Sequence, residues 1–367
     1  MSLKAGIVGL PNVGKSTLFN AITKKHILAA NYPFATIDPN IGVVTVPDDR
    51  LTFLENLYMP KKTVPTSFEF TDIAGLVAGA SKGEGLGNKF LSHIREVDGI
   101  IEVVRCFDSK DIIHVSGSVD PVRDVEIINM ELILSDLEIV DNRLGKITPK
   151  ATMSKDKDAI KEYNVLKKCK EALDQNIPLR KISFEEDELD LIKNFNFITL
   201  KKIIYVANVR EDEVTYENDY VRALKDYVSK EDASVIVMSA KLESELSELE
   251  VSEKEAFLKD IGINYSGLDK LIFAAYNLLG LETFFTVGPD ECRAWTFKKG
   301  TKAVDAAGLI HSDIKRGFIK AEIMKYEDLE KFKDEKKVQE NGLLYLEGKD
   351  YIMQDGDIVY FRFNVSK

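Results

Sequence analysis

Short apolar runs and longer stretches of helical spacing alternate along the first two thirds of the chain. "LKAGIVGL" (3–10) and "KKIIYVAN" (201–208) read as strands buried on both faces. "GVVTV" (42–46) and "GIIEVVRCF" (99–107) predict further strands, and "TSFEFTDIAGL" (66–76) alternates like a strand with one open face. From Lys15 the spacing predicts a helix to Lys24. "DPVRDVEIINMELILSDLEIVDNRLGKI" carries apolar residues at helical spacing behind an Asp-Pro start, "DKDAIKEYNVLKKCKEALDQN" predicts a returning helix, and "FEEDELDLIKNF" a shorter one. These three form a helical hairpin inserted at 121–199 into an α/β domain built from 1–120 and 200–281. After "GLDKLIFAAYNLLGLETFF", the last helix of that domain, the pattern changes. In 282–367, "CRAWTF" predicts a strand, "KKGTK" a turn, "AVDAAGLIHSDIKRGFIKAEI" a helix leading into a strand, and "YIMQDGDIVYFRF" a hairpin with an Asp-Gly turn.

Composition narrows the functional classes. The 367 residues allow two or three domains, and no apolar run approaches the roughly 18 residues that cross a bilayer. No signal-peptide pattern opens the chain, and Cys106, Cys169 and Cys292 form no C-x-x-C pair, so reduced thiols in the cytoplasm are expected. A net charge of −11 argues against bulk attraction to naked nucleic acid and leaves RNA contact to a local basic patch. Lys298, Lys299, Lys302, Lys315, Arg316 and Lys320 form such a cluster in sequence.

The chemistry begins at "GLPNVGKST" (9–17), which fits G-x-x-x-x-G-K-[ST] between a predicted strand and helix. Its four fixed positions arise by chance in about one such chain in a hundred. Gly9 and Gly14 free backbone N–H groups for phosphates; Lys15 reaches the β- and γ-phosphates and Ser16 holds Mg²⁺. Thr36 in "YPFATIDPN" and Asp72-x-x-Gly75 follow in order; Asp72 is placed to hold Mg²⁺ through water, and the Gly75 N–H to sense the γ-phosphate. That order resembles the translation-factor-related GTPases, where a threonine and an aspartate flank the metal in two switch loops. The Gly-rich "GASKGEGLGNKFL" (79–91) then reads as part of a switch.

Two positions depart from that pattern. Leu76 stands where Ras-like proteins carry the glutamine that orients the attacking water, so hydrolysis is expected to be slow or assisted. His114, in "DIIHVSGSVD", is the candidate to position that water or take its proton, against the plainer reading of a locally bonded loop histidine. Guanine is normally read by N-K-x-D after a buried strand, but here the segment is Asn208-Val209-Arg210-Glu211, followed later by Ser239-Ala240-Lys241. The longer carboxylate and the lost lysine predict ATP over GTP.

Together "GLPNVGKST", "YPFATIDPN", "DIAGLVAGASKGEGLGNKFL", Leu76 and "NVRE" resemble the Obg-like ATPases, a branch of the Obg-related GTPases that prefers ATP. The likeness runs nearly end to end, and the C-terminal part resembles a TGS domain, a small β-grasp module. The resemblance implies a P-loop G-domain fold, ATP hydrolysis with Mg²⁺, a regulatory role and association with the ribosome, through its large subunit or the whole particle, with structured RNA met by the insertion and the TGS part. It implies nucleotide contacts at Asn12, Val13, Gly14, Lys15, Ser16, Thr17, Gly75, Asn208, Val209, Glu211, Ser239 and Ala240, with the Val209 backbone at adenine. Ser16, Thr36 and Asp72 would hold the metal, and Asn12 would ligate K⁺ as in related potassium-dependent GTPases. Two other readings stay open: a GTPase of the same fold, and a ribosome- or RNA-binding scaffold whose nucleotide is structural.

Overall fold

A computed structural model describes residues 3–28, 40–73, 86–112, 114–153, 156–231 and 233–364. Its strands in chain order are β1 (Lys4–Val8), β2 (Ile41–Thr45), β3 (Lys62–Val64), β4 (Ser67–Asp72), β5 (Gly99–Arg105), β6 (Ile203–Asn208), β7 (Ser234–Met238), β8 (Leu281–Thr286), β9 (Glu291–Lys298), β10 (Phe318–Lys325), β11 (Tyr345–Glu347) and β12 (Asp357–Phe363). The helices used below are α1 (Lys15–Leu28), α2 (Asp49–Tyr58), α3 (Leu86–Glu96), α4 (Pro121–Met153), α5 (Lys157–Asp174), α6 (Glu186–Ile192), α7 (Asp219–Val228) and α8 (Ala240–Leu246).

The chain forms two compact units, one from Met1–Val44 with Glu69–Ala275, the other from Thr45–Phe68 with Tyr276–Lys367. The first holds a sheet of order β2-β4-β1-β5-β6-β7, with β1 parallel to β4 and β5, β5 to β6, and β6 to β7. Every residue of β5 and β6 is buried, Glu102, Arg105 and Asn208 included, as befits mostly apolar strands covered on both faces. In a parallel sheet all connections start from the same edge, so the loops after β1, β4, β6 and β7 meet at one end. That end carries the phosphate motif.

The insertion is the expected helical pair. α4 runs 33 residues, about 50 Å. Asp156 caps α5 by accepting from the Asp158 and Ala159 N–H groups. The two helices share a core with Ile133, Val140, Leu166, Cys169 and Leu173. Asp136, fully buried on α4, ties the pair to the sheet unit: it accepts from Ile198 N–H at 3.0 Å and from Thr199 N–H and Oγ1 at 2.7 Å, with Arg95 at 3.3 Å. Burial pushes its carboxyl up while those bonds pull it back.

The second unit has a sheet of order β11-β10-β12-β8-β9-β3, with β10 antiparallel to β11 and β12. It takes in a segment from early in the chain. β3 pairs parallel with β9, and Leu51 and Leu54 of α2 pack with Phe285, Cys292, Met324 and Ile358. Two expectations change here. The "LETFF" end of the predicted helix is strand β8, because its residues face the core of this second sheet. The "YIMQDGDIVYFRF" hairpin is not formed: Asp357 N–H does close a turn onto Gln354 O at 3.2 Å, but β12 pairs with β10 and β8, and Ile352 bridges Lys302 instead.

Candidate nucleotide site

The loop from Leu10 to Gly14 joins β1 to α1, and with Lys15, Ser16 and Thr17 it lines a cavity of about 470 Å³. Two residues turn the backbone through the left-handed region, Asn12 at φ 64° and Gly14 at φ 97°. This curls the chain so that the N–H groups at the start of α1 face the cavity, where unpaired donors and the helix dipole suit an anion. Val13 is buried beneath the loop, while Asn12, Ser16 and Thr17 are exposed to the cavity side.

Asp72 reaches this loop because β4 lies beside β1 with Asp72 opposite Ile7. Its carboxylate forms an ion pair with the Lys15 ammonium. A hydroxyl on Ser16 and a carboxylate on Asp72 are hard oxygen donors, and among the described residues no group of three or more His, Cys, Asp or Glu is arranged to hold a metal ion. Such a sparse donor set fits Mg²⁺, which keeps several waters and takes phosphate oxygens, and does not fit zinc. Thr36, Gly75, Leu76 and most of the 79–91 segment lie outside the described residues.

The base-site segments meet the same loop. Asn208, at the end of β6, donates from Nδ2 to Val13 O at 2.8 Å and accepts at Oδ1 from Ala240 N–H at 2.9 Å. It is buried, so one side chain holds the phosphate loop and the start of α8 in register. Val209 is buried too, and its N–H goes to Met238 O at 2.9 Å. Ser239 caps α8 through Oγ, accepting from Leu242 N–H at 3.3 Å. Glu211 stands at the rim, 2.5 Å from Lys241 Nζ, and that carboxylate raises the lysine's proton affinity.

His114 lies in the loop between β5 and α4, buried. Its Nδ1 accepts from Ser116 N–H at 3.1 Å, which places the ring proton on Nε2, 2.7 Å from Asp124 Oδ2. Both ring nitrogens are therefore engaged in this arrangement. Composition alone gives no sign of Asp124, ten residues away in the first turn of α4, nor of Arg105. The latter is fully buried and stitches this loop by donating to Phe107 O at 3.1 Å and Ile112 O at 3.0 Å. In the second unit, Lys302, Lys315 and Arg316 each stand within 2.8 Å of Asp350, Asp305 and Asp313. Such exposed pairs are weak, and a phosphate could replace the acid at little cost.

With this geometry in place, comparison with known proteins is informative. Residues 4–138 match a family described as a 50S ribosome-binding GTPase, and residues 281–364 match the C-terminal family of YchF GTPases, described as a protein of unknown function. The chain is 58% identical to the ribosome-binding ATPase YchF of Bacillus subtilis over 367 residues, the whole of both chains. It is 48% identical to the protein of that name from Escherichia coli O157:H7, again over the whole of both. Among solved structures, the YchF GTPase of Schizosaccharomyces pombe superposes with a TM-score of 0.90 at 41% identity, covering 98% of each chain. A GTP-binding protein from Pyrococcus horikoshii shares the fold, with a TM-score of 0.61 at 22% identity over 99% of this chain and 100% of that one. Identity of this degree along the full length of both partners means that the chain belongs to the YchF family.

Proposed function

We propose that this protein is a Mg²⁺-dependent ATPase that works as a slow nucleotide-dependent switch on the ribosome. One observation carries the reading above the rest: Asn208 braces the phosphate loop to the start of α8, and Glu211, which stands where guanine-binding relatives carry an aspartate, is already paired with Lys241. The relatives named ribosome-binding ATPases support both the nucleotide and the partner.

In this reading the α1 N-terminus and the Gly14 backbone receive the triphosphate, and Lys15 turns from Asp72 toward the β- and γ-phosphates. Ser16 and Thr36, with Asp72 through water, would hold Mg²⁺, whose charge would offset that of the phosphate oxygens; Asn12 would ligate K⁺. Val209, whose N–H is given to Met238, offers its carbonyl to the exocyclic amine of adenine. Thr36, Gly75 and the 79–91 segment sense the γ-phosphate, and Leu76 keeps turnover slow. The C-terminal unit is a TGS-type β-grasp module, and the helical pair at 121–199 a lobe tied to the sheet through Asp136; both are surfaces for ribosomal RNA or protein, in a cytoplasmic protein.

His114 acts on water once Ser116 releases Nδ1, while Asp124 keeps the proton on Nε2. His114→Ala is then expected to lower kcat about a hundredfold with nucleotide Kd nearly unchanged, read by phosphate release and a nucleotide titration. A kcat within twofold of wild type excludes the imidazole from the water step. The switch itself is tested by ribosome co-sedimentation with ATP, a non-hydrolysable ATP analogue and ADP. Equal pelleting in all three states favours the scaffold reading.

A further inference from the structure

Glu211 follows β6 and Lys241 lies in the first turn of α8 after β7, so their 2.5 Å ion pair joins the same two segments that Asn208 ties together through the Ala240 N–H. Glu245, one turn along α8, stands 3.8 Å from the same ammonium and helps to hold it on this side. Arg210, the neighbouring cation, is turned to Asp212 at 3.1 Å and Glu213 at 3.3 Å. Among the described residues, Lys241 is thus the cation that engages Glu211.

An ionised carboxylate only accepts hydrogen bonds. The edge of guanine facing this position presents two donors, N1–H and the N2 amine, whereas adenine presents an acceptor at N1. An unengaged Glu211 would therefore attract guanine and oppose adenine through lone-pair contact. Held by Lys241 it does neither.

We propose that Lys241 is a specificity-determining residue: its ammonium holds the Glu211 carboxylate off the purine edge, withdrawing guanine's acceptor and sparing adenine N1 a second acceptor facing its lone pair. This rests on the ATP reading of the base site. Lys241 is 69% and Glu211 37% exposed, so the pair is of the weak surface kind and the effect is correspondingly modest. Releasing it is expected to move the ratio of GTP to ATP affinity about three- to fivefold toward GTP.

The test is calorimetric titration of the full chain with ATP and GTP analogues carrying a non-hydrolysable β–γ bridge. It compares wild type, Lys241→Gln, Lys241→Arg, Glu211→Gln and the Lys241→Gln/Glu211→Gln double variant. Lys241→Gln should shift the ratio toward GTP, Lys241→Arg should not, and the shift should vanish when Glu211 is already Gln. An unchanged ratio in Lys241→Gln, or a shift that persists in the Glu211→Gln background, overturns the proposal. Wild-type preference for GTP in the same titration would instead sink the ATP reading, because the proposal is judged on the change between variants. The exposed site leaves folding intact, and a matching thermal melt verifies this for each variant.

Discussion

Lys15→Ala is expected to reduce ATP hydrolysis by about a thousandfold or more and to weaken triphosphate binding. The side chain is mostly buried at the start of α1 and faces Asp72 across the cavity floor. Alanine leaves Mg²⁺ as the sole cation to offset the Asp72 carboxylate and an incoming γ-phosphate in one small volume. The metal does not reach every phosphate oxygen, and the charge that Lys15 brings when it turns from Asp72 to the phosphates is lost. Phosphate release and a fluorescent-nucleotide titration measure both effects, and turnover within tenfold of wild type would contradict the assignment.

Gly14→Ala should weaken nucleotide binding about a hundredfold while the fold persists. Two penalties act together. At φ 97° an alanine pays strain of about 1–3 kcal/mol, and its Cβ would overlap Asn208 Nδ2. The amide must move, and its 2.8 Å bond to Val13 O and 2.9 Å bond from Ala240 N–H go with it. Each buried bond broken on one side costs about 1–3 kcal/mol. Phosphate loop and base loop then lose their common anchor, so the melting temperature falls together with nucleotide affinity. Circular dichroism melts beside calorimetry measure both. A variant that binds and melts like wild type would refute the brace.

Much of the nucleotide unit was legible because its signals are local. A strand, a Gly-rich turn and a helix lie within the first 28 residues, and the apolar runs of β5 and β6 announce strands buried on both faces. What stayed hidden depends on contacts between distant residues. Asn208 reads in sequence as a base contact, yet it spans 195 residues to Val13. The pairing of Glu211 with Lys241 needs two loops brought together by a parallel sheet. His114 was visible as a candidate, but Asp124, its partner, looked like one more acid at a helix start. The recruitment of α2 and β3 into the second unit depends on the register Lys62–Glu291, which no local pattern encodes. Likewise β12 found a better partner in β10 than in the short segment before its own turn.

The account depends on one physical assertion: the phosphate cradle is that of a GTPase, while the purine edge no longer favours guanine. Direct competition of ATP against GTP for the full chain with Mg²⁺, followed by calorimetry, tests it in one experiment. ATP is predicted to bind more tightly, with GTP displacing it only in excess. Tighter binding of GTP, with ATP the weak competitor, would contradict the account.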